Sequence, residues 1–415
     1  MKKPIEIIPE LVAPAGDWPS LESAVKAGAD AVYFGLRNLS MRQTAPNFDI
    51  LEIKKVMALL HKHKRKGYLT LNTIIYERDL EKLDVMLLEA KKAKVDAVIC
   101  WDMAVLSKAF EAGLPVHLST QASVSNFISL KFFCSFGVKR IVLARECSLE
   151  DIKQIAQKIK REKIDCKLEA FVHGSMCVSV SGRCFFSHDL FGKSANRGEC
   201  VQPCRREFLI KDIELGNEYV LGSDYIMSAQ DLCMIEHINK LVSAGVSAFK
   251  IEGRMRTPEY VSVVTSVYRK AIDAYKKGLL TDALQVSLKK KLSSVYNRGF
   301  SEGFYFSPPK ISGLSGGKSS FEKIFVGQVE KFYKKINVAQ LVIRNDELKK
   351  GDKILVSGKT TPAMTAVVGQ IQIQHKPVRI ARRGQTTGIK LPFSLRPKDK
   401  IFLLKSNTKK GLSLG

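Results

Sequence analysis

The chain has 415 residues, 45% apolar and 26% charged, with a formal net charge of +26. That length exceeds what one hydrophobic core comfortably fills, so two domains are expected, and the composition excludes a disordered or fibrous chain. No apolar run approaches the roughly 18 residues of a membrane span. Pro4, Glu6 and Pro9 interrupt the N-terminus where a signal peptide keeps its apolar core, so a cytoplasmic location is expected.

From residue 10 a unit recurs: a short apolar run followed by an amphipathic stretch. The runs are ELVAPAG (10–16), ADAVYFGL (29–36), YLTLNTII (68–75), DAVICWD (96–102), PVHLSTQA (115–122), RIVLARE (140–146), KLEAFVHG (167–174) and AFKIEGR (248–254). Stretches such as LEKLDVMLLEAKKAKV and LEDIKQIAQKIKREK place apolar residues three and four apart, the helical spacing. Eight continuous apolar strands alternating with helices predict a (β/α)8 TIM-barrel-like domain over residues 8–310. A doubly wound open sheet is the alternative, but no Gly-rich phosphate fingerprint follows the first strand. The connection after the seventh strand is too long for a plain barrel loop, and 175–233 is predicted to be a functional insertion. Residues 259–306 read as helices ending in the turn-rich NRGFSEGFYF, and GLSGGKSS (313–320) reads as a linker. From about 323 the pattern becomes short alternating strands with turns, which predicts a small antiparallel β-barrel over 321–407.

Residues 316–415 carry 21 Lys and Arg against 6 Asp and Glu. A solvated basic surface would account for this excess, and so would binding of a polyanion such as RNA. Nine cysteines, an odd number, with no sign of export, argue against a disulfide framework. Cys100, Cys134, Cys147 and Cys166 read as isolated thiols among apolar residues.

The other five cysteines, Cys177, Cys184, Cys200, Cys204 and Cys233, are separated by 6, 15, 3 and 28 residues, all within the long insertion. That clustering predicts a metal or cluster site. Spacing alone leaves zinc and iron–sulfur open, since neither paired zinc knuckles nor a ferredoxin run is present. Gly174, Gly182, Gly192 and Gly198 would let backbone approach sulfur, and Arg183, Arg197, Arg205 and Arg206 would offset thiolate charge.

Polar groups at the C-terminal ends of barrel strands are where this architecture keeps its chemistry. They nominate His173, Glu252, Arg254 and Asp102 for catalysis, and Arg37, Asn72, Gln121, Arg145 and Glu146 for holding substrate. A salt-bridged rim built on Arg145, Glu146 and Arg254 is the structural alternative. Two or more arginines in such a pocket suit a small carboxylate.

The segment EAFVHGSMCVSVSGRCFFS (169–187) resembles the signature of peptidase family U32, the collagenase-like proteases. APAGDWPSLESAVKAGADAVYFGL, LSMRQTAPNF, NRGECVQPCR, SAQDLC and KIEGRMRTPEYV are similar to the same family in the same order. With its basic C-terminal domain the chain most resembles the branch that makes 5-hydroxyuridine in bacterial tRNA. The resemblance implies a 4Fe–4S cluster on Cys177, Cys184 and Cys200, with Cys204 or Cys233 as fourth ligand. It also implies prephenate, a dicarboxylate, as co-substrate, tRNA as partner, and in some relatives a paired subunit. Peptide hydrolysis, the family's name, would need a nucleophile and an oriented base or a water-activating metal, and neither HExxH nor GxSxG occurs. A non-catalytic cluster-bearing scaffold is the third reading.

Overall fold

The computed structural model describes residues 8–307 and 321–406, except 207, 212, 215, 217 and 222–228. The expected linker at 313–320 and the domain limits at 310 and 407 lie outside the described residues. Eight parallel strands follow in order: β1 (Glu10–Ala15), β2 (Ala31–Gly35), β3 (Lys66–Thr70), β4 (Ala97–Cys100), β5 (Val116–Leu118), β6 (Arg140–Val142), β7 (Lys167–Gly174) and β8 (Ala248–Ile251). β8 pairs with both β7 and β1, Ala248 lying opposite Glu169 and Glu10, so the sheet closes into the expected barrel. Several strands are shorter than the apolar runs that predicted them; the remainder of each run forms the loop at the C-terminal face.

Helices α1 (Trp18–Lys26), α2 (Ile53–Lys62), α3 (Leu80–Lys92), α4 (Met103–Glu111), α5 (Phe127–Ser135), α6 (Leu149–Arg161), α7 (Ile238–Ser243) and α8 (Pro258–Lys276) cover the sheet. α6 is typical of how they begin and pack. Ser148 and Asp151 close a capping box at its start, Ile152 and Ile155 face the strands, and the basic residues gather in its last turn, where the helix dipole favours them. Among the described residues no helix is long and apolar enough to cross a membrane.

The lower part of the barrel is filled by charge rather than by aliphatic layers alone. Buried Glu169 accepts from Lys250 Nζ (2.6 Å) and Arg140 Nη1 (3.2 Å), and Arg140 also donates to Glu10 (2.7 Å). Tyr68 donates to Glu10, and His117 packs edge-on against Tyr68 at 4.5 Å. Buried ions survive only as a set, so removing one acceptor leaves uncompensated charge. Glu169→Ala is expected to cost about 3–5 kcal/mol, read as a lower denaturation midpoint at unchanged slope.

Burial pushes His117 and His173 down to about 3 from an ordinary 6.5, so the fold holds both neutral. Below pH 6.5 the unfolded chain takes up protons that the fold refuses. Stability is therefore full above that pH and falls as pH drops towards 3, by roughly 1.4 kcal/mol per pH unit for each histidine. Burial works against the Glu10 carboxylate, but bonds from Arg140, Lys66 and Tyr68 hold it at about 2, so its contribution is lost between about pH 4.5 and 2. Thermal melts from pH 7.5 to 5 should show a falling midpoint; a flat profile would refute the neutral histidines.

Cys100 and Cys147 are buried, as expected. Cys134 and Cys166 are not isolated. The two thiols are neighbours where the end of α5 meets the start of β7, close enough for Cys166 to lower the Cys134 pKa, while Cys166 Sγ donates to the Lys167 carbonyl (3.8 Å). Sequence distance hid the pairing; the parallel neighbours β6 and β7 create it.

After α8 comes a further helix, Asp282–Leu292. The C-terminal domain is an eight-stranded antiparallel sheet curled around Val326, Leu341, Ile354, Ile389 and Ile401. Its longest strand, Phe321–Tyr333, shifts register near Phe325–Gly327 and so pairs first with Lys400–Ser406 and then with Val338–Val342. The domain rests on the barrel's flank through Ala363 N to Ser23 Oγ (3.0 Å) and Lys323 to Glu259 (3.4 Å).

Candidate functional site

β7 leaves the barrel at Gly174, whose φ of +112° and closeness to the Glu252 carbonyl (2.7 Å from where a Cβ would sit) require glycine. The insertion then crosses the barrel's C-terminal face and is tied down at each pass. The Glu146 carboxylate accepts from Ser181 N (2.8 Å) and Oγ (3.2 Å), and Arg197 forms two bonds to Asp79 (2.7 and 3.2 Å). Gly198, at φ +91°, passes so close to Ser40 that a Cβ would lie 2.1 Å from its carbonyl oxygen.

This course brings Cys177, Cys184, Cys200 and Cys204 to the wall of one cavity of about 220 Å³ at the barrel mouth. Phe186 N donates to Cys184 Sγ (3.3 Å), Ser187 Oγ to Cys200 Sγ (3.8 Å), and Ser179 Oγ lies 3.0 Å from Cys177 Sγ. The Cys204 thiol is pushed up by burial and, against the pull of Arg205, by the charges of Cys177, Cys200 and Cys184. Those four sulfurs are thus electrostatic neighbours. Cys233 is not among them. It lies on a short strand, Asp231–Cys233, that pairs antiparallel with β7 opposite His173, and burial pushes its thiol up to about 12.

Below the mouth is a smaller chamber of about 40 Å³, lined by Asn72, Gln121, Arg145, Lys250, Glu252 and Arg254 among others. Glu252 lies between Arg42 Nη2 (3.2 Å) and Arg145 Nη2 (3.4 Å). Burial opposes its charge, but Arg42, Arg145 and Arg254 together hold its carboxyl below the usual range. Arg145 also lies over the Phe171 ring at 3.9 Å. Arg254 donates to hydroxyls, Ser40 Oγ (2.5 Å) and Thr70 Oγ1 (2.7 Å), and burial lowers it to about 10. Among the described residues lining the chamber, Glu252 is the one carboxylate facing three arginines and Lys250. The surplus positive charge suits an anion.

The structure therefore brings together Asn72, Gln121, Arg145, Glu252, Arg254 and four of the five cysteines. Other nominated residues lie elsewhere. His173 is buried against Tyr268, Tyr260 and Phe300, outside the cavity. The β7–β8 register slips by one residue between Lys250 and Ile251, so His173 does not follow Glu169 and Phe171 inward. Asp102 caps α4, accepting from Ala104 N (2.9 Å) and Ile75 N (3.0 Å). Arg37 pairs with Asp49 on the exposed rim at 3.5 Å, and Glu146 anchors the insertion. The Arg145–Glu146–Arg254 rim does not form, because Arg145 turns to Glu252. Of the arginines expected beside sulfur only Arg205 lines the cavity; Arg197 is spent on Asp79.

Sequence reading missed Arg42, Arg256 and Arg298. All three line the mouth, and the last two meet buried Asp231 at 3.8 and 3.5 Å. Arg42 lies in LSMRQTAPNF and Arg298 in NRGF, both quoted above without a role.

The chain is 44% identical over 406 residues to an uncharacterized protease of Methanocaldococcus jannaschii, covering 96% of this chain and 99% of that protein. It is 38% identical to a collagenase of Porphyromonas gingivalis (95% and 97% covered). It is 33% identical to a tRNA hydroxylation protein of Bacillus subtilis (89% and 88% covered). The model of peptidase family U32 matches residues 16–314, the span that holds β2 to β8, the cysteine insertion and the lining of both cavities. With that match and these long alignments, the chain belongs to peptidase family U32.

Proposed function

We propose that this chain is a tRNA-modifying enzyme that hydroxylates C5 of the wobble uridine, with prephenate as co-substrate and a 4Fe–4S cluster held by Cys177, Cys184, Cys200 and Cys204. The observation that carries the proposal is the convergence of four thiols on one cavity directly above an arginine-rich chamber. The donor set suits a cluster. The thiols have N–H and O–H donors beside them, and Arg42 and Arg205 lie among them to offset thiolate charge. Among the described residues no three Cys, His, Asp or Glu side chains form a site for one metal ion, so the cluster reading rests on the four thiols that line one cavity. Such a cluster supplies one-electron chemistry when bound.

This chain's own residues bind and orient. Arg254, Arg42 and Arg145 are placed to take one carboxylate group in the chamber, with Asn72 and Gln121 to fix its orientation, and the rest of the acid would extend into the larger cavity above. Glu252, kept ionised by its arginines, is a poor proton acceptor at neutral pH and serves to space them. The target base must be unstacked to reach the mouth, and an anticodon loop presents it single-stranded. The net change, C5–H to C5–OH, is a two-electron oxidation of the base, so the reaction also consumes an oxygen source and a two-electron acceptor.

A peptidase reading has the collagenase relative in its favour. Against it, no histidine is among the described residues lining the cavity; Ser175 Oγ accepts from Arg256 and Arg298, Ser187 Oγ donates to Cys200 Sγ, and Ser181 Oγ meets the Glu146 carboxylate, which is already engaged by Ser181 N in anchoring the insertion. The test is nucleoside mass spectrometry of tRNA incubated with oxygen-free purified protein and prephenate, and of tRNA from cells lacking the gene. Uridine heavier by one oxygen is expected in the first and its loss in the second. Unchanged tRNA, with gelatin cleaved by the same preparation, would replace this reading with the peptidase.

A further inference from the structure

The surface around the mouth has a feature that neither the cysteines nor the arginine chamber requires. Aromatic rings stand on the loops of the barrel's C-terminal face and on the insertion that crosses it, and most have an arginine over them. Tyr76, 45% exposed, has Arg78 at 5.0 Å and Arg197 at 4.9 Å. Trp101 has Arg183 at 5.8 Å, and Phe191, 39% exposed, has Arg206 at 4.4 Å. Phe185, next to Cys184, is 77% exposed. These rings are held in place: Trp101 donates to the Asn72 carbonyl (2.9 Å), and Arg183 donates to Ser123 Oγ (3.1 Å). Tyr76, Phe185 and Phe191 contribute little to folding, because their rings stay in contact with water.

We infer that these rings are stacking platforms for the unpaired bases on either side of the target base, so that the mouth recognises an open nucleic-acid loop and not a duplex. The inference rests on the RNA reading above and adds to it the feature of the RNA that is recognised. An aromatic face takes any base, and a guanidinium beside it adds cation–π attraction and a phosphate contact. A paired helix hides its base faces and offers these rings nothing. Arg78, Arg183 and Arg206 are all exposed, and the chain's charge of +26 complements a phosphate backbone.

The test compares binding of a short hairpin RNA with an open loop and a blunt duplex of the same length, using the full chain over a range of salt. The hairpin should bind more tightly. Phe185→Ala and Phe191→Ala should each weaken hairpin binding about tenfold, with the salt slope and duplex binding unchanged. Arg183→Gln and Arg206→Gln should weaken both RNAs and flatten the slope. All four positions are exposed, so circular dichroism should match the parent protein. Equal binding of hairpin and duplex, or hairpin affinity indifferent to both phenylalanines, would overturn the platforms. If tRNA is still hydroxylated in that case, the RNA reading survives without them. A chain that neither binds nor modifies RNA, yet loses affinity for a collagen-derived peptide in the same variants, would overturn both.

Discussion

Purified without oxygen, the parent protein is expected to be brown and to hold iron, and Cys184→Ser and Cys200→Ser are expected to lose both, and tRNA hydroxylation with them. Cys204→Ser should behave in the same way. Cys233→Ala should keep its iron and lose only stability, because that thiol is turned into the core beside Tyr268 and away from the mouth. The contrast is informative because both Cys204 and Cys233 are candidates from spacing, and only the fold separates them. Iron analysis and visible absorption decide it. A colourless Cys233→Ala, or a Cys204→Ser that keeps full iron, would move the fourth ligand to the buried strand. Parent protein with stoichiometric zinc and no iron would reject the cluster.

The second large effect is at Arg254. Replacing it with lysine keeps a positive charge but loses the planar fork that holds Ser40 and Thr70 through Nη1 and would offer its other N–H groups to the proposed carboxylate. The efficiency for prephenate in tRNA hydroxylation should fall by about a hundredfold, mainly as a higher KM for the small acid. Iron content and RNA affinity should be unchanged, since Arg254 lies below the mouth and touches neither. Steady-state kinetics with each substrate varied in turn would check this. An unaltered KM for prephenate would remove the chamber as its site.

Much of the barrel could be read in advance because its strands are buried on both faces, and runs such as AVYFG and AVIC admit few other structures. The C-terminal strands were readable for the opposite reason, since one face is wet and the residues alternate. The site was harder to read. Arg254 and Glu252 could be found because they end a strand of recognisable register. Arg42 could not, because it lies in an aperiodic loop and acquires meaning only when Glu252, 210 residues away, meets it. His173 misled for a definable reason: a single slipped residue in the pairing of β7 reverses which side of the wall it faces, and no local pattern announces a slip. Asp102 misled more avoidably. An aspartate immediately before MAVLSK is a helix cap first and a catalytic candidate second.

The ionic cluster of Glu10, Arg140, Glu169 and Lys250 fills the barrel beneath the arginine chamber, so the doorway to that chamber is the mouth above it. Whatever small acid is to sit there has to arrive before a bulky polymer settles over that doorway, and its remnant has to wait until the polymer lifts away. On the function proposed above, a compulsory loading sequence follows, acid then nucleic acid.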